Sequence, residues 1–78
     1  MNGIIVRIKF LKNNTEVDAC LSPLLTLREN INNVIKMKFH HENYDYSSVF
    51  SKYDDTYLNI NEKVERLNLY NHVFLYVC

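Results

Sequence analysis

Ile4, Val6, Ile8 and Phe10 occupy every second position at the start of the chain, with Arg7 and Lys9 between them. That alternation is the period of a strand whose one face is buried and whose other face meets water. Lys12-Asn13-Asn14-Thr15 interrupts it, and asparagine tolerates the positive φ that a tight hairpin turn needs. Val17, Ala19 and Leu21 then alternate with Glu16, Asp18 and Cys20, so the chain is expected to open on a β-hairpin. Counting back from the turn puts Cys20 near Arg7.

Ser22-Pro23-Leu24-Leu25 ends the alternation, and the apolar period lengthens to that of a helix. Thr26-Leu27-Arg28-Glu29 is a capping box, in which the Thr hydroxyl accepts from the Glu29 amide and the Glu29 carboxylate reaches back. Leu27, Ile31, Val34 and Ile35 share one helical face, and Asn30, Asn32, Asn33 and Lys36 point elsewhere. The helix is expected over about Leu27 to Lys38. Its asparagines lower the intrinsic propensity, so packing against a sheet has to hold it.

His40 to Ser47 is polar and reads as a loop. Val49 to Tyr53 is expected as a third strand, Asp54-Asp55 as a turn and Thr56-Tyr57-Leu58 as a short fourth strand. Asn59 to Asn71 has spaced apolar residues without a period. Val73, Leu75 and Val77 alternate with Phe74, Tyr76 and Cys78 in a last strand. The first and last strands are the most regular and most apolar, which places them centrally. A hairpin, one helix across the sheet, and a last strand beside the first describe an α+β fold: a β-grasp of four to five strands in a mixed sheet.

Seventy-eight residues make one small domain. Leu, Ile, Val and Phe supply 26 of them, well above the roughly 20% below which chains stay disordered. No run approaches the ~18 apolar residues of a membrane span. The start, with a charge at Arg7, lacks a signal-peptide layout, so a cytoplasmic chain without membrane insertion is expected. Net charge is zero, which argues against a nucleic-acid binder held by phosphate contacts. Cys20 and Cys78 lack metal-ligand spacing and are expected as reduced thiols too far apart to bridge, Cys20 near Arg7 and Cys78 alongside the far end of the first strand.

The whole chain resembles a ubiquitin-like domain. Leu58, Val64, Leu69, Leu75 and Val77 carry the resemblance, with the short segment Glu65 to His72 similar to the helical turn and tight loop before the family's final strand. In that loop Asn71 is the residue suited to a left-handed turn. Asp18-Ala19-Cys20-Leu21-Ser22, followed by Leu27-Arg28 and Ile31, resembles the free-standing YukD/EsaB proteins of bacterial type VII secretion systems. That resemblance implies a cytoplasmic accessory or regulatory component that works by binding protein. A Ras-binding or FERM-type ubiquitin-like adaptor module is the alternative. Conjugated ubiquitin-like proteins end in Gly-Gly, whereas this sequence stops at Cys78 and has Gly3 as its one glycine. A non-conjugating protein is therefore expected.

Reactive side chains assemble into nothing that specifies catalysis. His40-His41-Glu42 with His72 lacks the two-to-four-residue spacing of zinc ligands and reads as solvated loop. Cys20 has no visible base or orienting group beside it. Asp54-Asp55 and Glu62 with Glu65 have no apolar surroundings to separate their pKa values. No cofactor and no metal are expected, and the chain is not expected to be an enzyme. Most of the six tyrosines fit core edges and loop packing. The sheet's outward face is the exception. If Val73, Leu75 and Val77 face the helix, Phe74 and Tyr76 face outward with Ile5, Arg7 and Lys9 of the first strand. Parallel pairing is expected to set Ile5 beside Phe74 and Arg7 beside Tyr76, an apolar centre with a basic edge that suits a protein partner.

Overall fold

A computed structural model describes residues 3–39 and 44–78. Its elements are β1 (Ile4–Phe10), β2 (Thr15–Leu21), α1 (Leu27–Lys38), β3 (Val49–Ser51), β4 (Thr56–Leu58), a 3-10 turn (Val64–Arg66) and β5 (Val73–Val77). The five strands lie in the order β2-β1-β5-β3-β4. β1 and β5 run parallel, and the remaining neighbours are antiparallel. One helix on a mixed five-strand sheet is a β-grasp-like α+β fold.

The opening hairpin pairs without a bulge from Ile4↔Leu21 to Phe10↔Thr15 around the turn 11–14. Asn14 takes the left-handed conformation there, at φ 52°. This register sets Cys20 opposite Ile5 and Asp18 opposite Arg7, correcting the expected Cys20–Arg7 neighbourhood by one pair of residues. The cause is the turn, which closes on Phe10 and Thr15 rather than further along. β3 stops at Ser51, so Lys52 and Tyr53 belong to the turn that Asp55, at φ 52°, closes into β4.

The capping box at α1 forms in both directions: the Glu29 amide donates to Thr26 Oγ1, and the Thr26 amide donates to Glu29 Oε1, each at 3.1 Å. The two amides before Glu29 find partners across the fold. Leu27 donates to the Glu62 carbonyl at 3.0 Å and Arg28 to the Ile60 carbonyl at 2.8 Å. The aperiodic segment after β4 therefore completes the helix N-terminus, whose first amides have no partner inside the helix. Asn30 does not point outward as expected. It is buried, accepts from the Ser22 amide at 2.8 Å, and donates to the carbonyls of Ser22 and Thr26 at 3.0 Å. Buried polar groups are tolerated when their bonds are made, and this one ties α1 to the end of β2.

Between helix and sheet lie Val6, Ile8, Phe10, Leu21, Leu27, Ile31, Ile35, Val49, Val64, Val73, Leu75 and Val77. Nine of these are the alternating positions of β1 and β5 and the apolar face of α1, while Leu21 comes from β2, Val49 from β3 and Val64 from the 3-10 turn. At one end the Phe10 ring meets Phe39 and Tyr44 edge-on, at 5.2 and 5.3 Å between centroids, while Phe39 and Tyr44 stack at 5.3 Å. Tyr46 straps the following segment to the helix, its hydroxyl donating to Asn32 Oδ1 at 3.2 Å.

Candidate protein-docking face

β5 buries Val73, Leu75 and Val77 and turns Phe74 and Tyr76 to the side away from the helix. β1 does the same with Ile5, Arg7 and Lys9. The face expected from alternation is present, but its neighbours differ. Arg7 pairs with Phe74 and Lys9 with Tyr76, while Ile5 lies beyond the first β5 residue. The Ile5 amide donates to Asn71 Oδ1 at 3.1 Å and its carbonyl accepts from the His72 amide at 2.6 Å. Ile5 is thus at the end of the face, 44% exposed, beside Cys20 rather than Phe74. A slip of two residues keeps every side chain on its own face, so alternation specifies the face and leaves the register to the turn.

That turn differs from expectation as well. The left-handed residues are Asn68 and His72, at φ 55° and 73°, and not Asn71. The Asn71 carboxamide is occupied in holding the start of β1.

Phe74 and Tyr76 are half-buried because β3 and β4 extend the aromatic surface. Phe50 pairs with Tyr76 on one side and with Tyr57 on the other. Ring centroids are 5.2 Å apart for Phe74–Tyr76, 6.4 Å for Tyr76–Phe50 and 5.2 Å for Phe50–Tyr57. The four rings form one row across three strands, ending at Tyr57, which is 70% exposed. Lys52 Nζ lies 5.9 Å from the Tyr76 centroid, within cation–π range. A second pair, Tyr53 and Tyr70, meets edge-on at 5.2 Å. Desolvation, then the Tyr53 hydroxyl and Asp54, push the Tyr70 phenol up to about 12.

Arg7 reaches Asp18 at 3.4 Å and Glu16 at 3.8 Å, so its charge is directed to β2. Both contacts are exposed, and pairs of this kind contribute about 0–1 kcal/mol. Lys9 and Lys52 form no ion pair among the described residues, and they, rather than Arg7, supply the basic edge. Phe50, Tyr57 and Lys52 were not legible as members of this face. The alternation Val49, Phe50, Ser51 carried a signal for Phe50, but strand pairing alone brings it beside Tyr76.

The chain matches no family model, and no curated protein is detectably similar to it. The other groups singled out in the sequence remain scattered. Cys20 sits opposite Ile5 at one end of the hairpin, and Cys78 follows the Val77↔Phe10 pair at the other, both as free thiols. His40, His41 and Glu42 lie outside the described residues. Among the described residues, no helix is long and apolar enough to cross a membrane.

Proposed function

We propose that this protein is a ubiquitin-like binding module that docks a partner protein on its open sheet face. The observation that carries this reading is the continuous row Tyr57–Phe50–Tyr76–Phe74, with Lys9 and Lys52 as its basic edge. Aromatic anchors with a polar, basic rim are the composition of protein interfaces, and a contiguous apolar patch on so small a sheet marks a docking surface. The resemblance of Asp18-Ala19-Cys20-Leu21-Ser22, Leu27-Arg28 and Ile31 to the YukD/EsaB proteins supplies the context: a cytoplasmic accessory or regulatory role in type VII secretion.

Phe74→Ser with Tyr76→Ser tests this directly. The double variant is expected to keep its far-UV circular dichroism while failing to restore secretion in cells lacking the protein. Lys9→Glu with Lys52→Glu, which alters only the rim, is expected to weaken function without lowering stability. Full complementation by a correctly folded double variant removes the sheet face as the docking site.

A further inference from the structure

The row of rings carries more chemistry than an apolar stripe. Tyr57, Phe50 and Tyr76 follow one another across β4, β3 and β5, with Phe74 two residues along β5. Phe50 and Tyr57 meet edge-on with 68° between their planes, and Phe74 and Tyr76 with 83°, while Phe50 and Tyr76 lie nearly parallel at 24°. Rings set at such angles leave notches between them that a compact apolar group fills. Neither the Tyr57 nor the Tyr76 hydroxyl has a hydrogen-bond partner among the described residues, whereas that of Tyr46 is bonded to Asn32.

Spacing alone does not choose the occupant. Ring-to-ring steps of 5.2 and 6.4 Å fit anchors one turn apart on an α-helix, whose pitch is about 5.4 Å. They fit equally well alternate residues of a polyproline II segment, which rises about 3.1 Å per residue. The phenols decide between the two. Once a partner covers the face and expels water, each hydroxyl needs an acceptor from that partner. A helix has spent its backbone carbonyls on itself. A β-strand needs backbone partners, and on this face the backbone is already used within the sheet. A polyproline II segment keeps its shape without internal hydrogen bonds, so its carbonyls are free to accept. Its proline rings enter the notches already stiff, with little ordering left to cost affinity.

Charge sets the flank. The Lys52 amide donates to the Phe74 carbonyl at 3.0 Å, which fixes this residue beside the row. Its Nζ lies 5.9 Å from the Tyr76 centroid and forms no ion pair among the described residues. Arg7, by contrast, is held by Asp18 and Glu16, and Lys9 stands opposite Glu16. Lys52 is therefore the cation of this face with the most to gain from a partner's carboxylate. Resting on the docking role proposed above, we infer that the face takes a proline-rich segment in the polyproline II conformation. Its prolines seat among Tyr57, Phe50 and Tyr76, and an acidic residue flanks them at Lys52.

Three acetylated, amidated peptides serve as probes, each titrated into the isotope-labelled full chain and followed by NMR: a proline run ending in two glutamates, the same run ending in two lysines, and an amphipathic leucine–glutamate helix. The glutamate–proline peptide is expected to shift the amides of Phe50, Tyr57 and Tyr76 and to bind about threefold or more tightly than the lysine one. Lys52→Glu is expected to invert that order. Tyr57→Phe with Tyr76→Phe keeps both rings and removes both donors, and is expected to weaken binding about tenfold. Tighter binding of the helical peptide, undiminished binding by the phenylalanine variant, or no shift of these amides at millimolar proline peptide overturns the inference. If the proline peptides are ignored while Phe74→Ser with Tyr76→Ser still fails to complement, this inference falls and the docking face stands. The docking face itself falls only with full complementation.

Discussion

A Cβ added at Gly3 would lie 2.7 Å from the Leu21 carbonyl oxygen and against the Cys20 sulfur. Backbone cannot retreat as a flexible side chain can, so the first turn of the hairpin ladder leaves room only for hydrogen at this position. Gly3→Ala is expected to destabilise the protein by about 1–3 kcal/mol through overpacking. Urea denaturation measures it, and an unchanged midpoint would mean that the chain before β1 shifts freely. Adding Cys20→Ala should restore part of the loss but not all, because the carbonyl stays. Nothing in the sequence separated this glycine from an ordinary terminal one. Asn30 was equally illegible: only the closeness of Ser22, eight positions back, turns a poor helix former into a buried tie.

At the scale of the element, α1 was readable because both its signals are local. The box Thr26-x-x-Glu29 and the face of Leu27, Ile31 and Ile35 lie within a few turns of one another. Thr26→Ala is expected to cost about 0.5–2 kcal/mol by removing the acceptor for the Glu29 amide. Thermal melts check it, with Thr26→Ser as the variant that retains the hydroxyl and loses less. A neutral Thr26→Ala would show that the carbonyls of Ile60 and Glu62 suffice to cap the helix. That second set of partners comes from more than thirty residues downstream, which is why the part that the segment Asn59 to Asn71 plays in capping the helix was not legible. Its residues serve the helix end and the core through Val64 rather than a period of their own.

Across the whole molecule, burial raises the phenol pKa of Tyr44 and, with Arg28 opposing, of Tyr46. A pKa raised on folding gives stability that is complete below the unfolded value of 10.0 and is lost as pH climbs through the folded one. Stability is therefore expected to be level from about pH 7 to about pH 9 and to fall above about pH 10. Urea midpoints across that range measure it. Tyr46→Phe should lower stability at neutral pH, since the bond to Asn32 is gone, yet flatten the alkaline fall. A wild-type midpoint unchanged at about pH 11 would show that neither phenol is held back by folding.

The periods of the sequence determined which residues face inward. Two-residue alternation placed Val6, Ile8, Phe10, Val73, Leu75 and Val77 in the core, and a helical repeat placed Leu27, Ile31 and Ile35 against them. They thereby also determined that Ile5, Arg7, Phe74 and Tyr76 share the opposite face. Such patterns are local, because a side chain's direction follows from its own backbone and its immediate neighbours. Which of those outward residues touch was decided only in the folded sheet. Strand register is set by where turns close, and a slip of two residues alters every cross-strand neighbour without exposing a single core residue. That freedom is why Arg7 stands beside Phe74, why Phe50 and Tyr57 complete the aromatic row, and why the edge of β2 is left open.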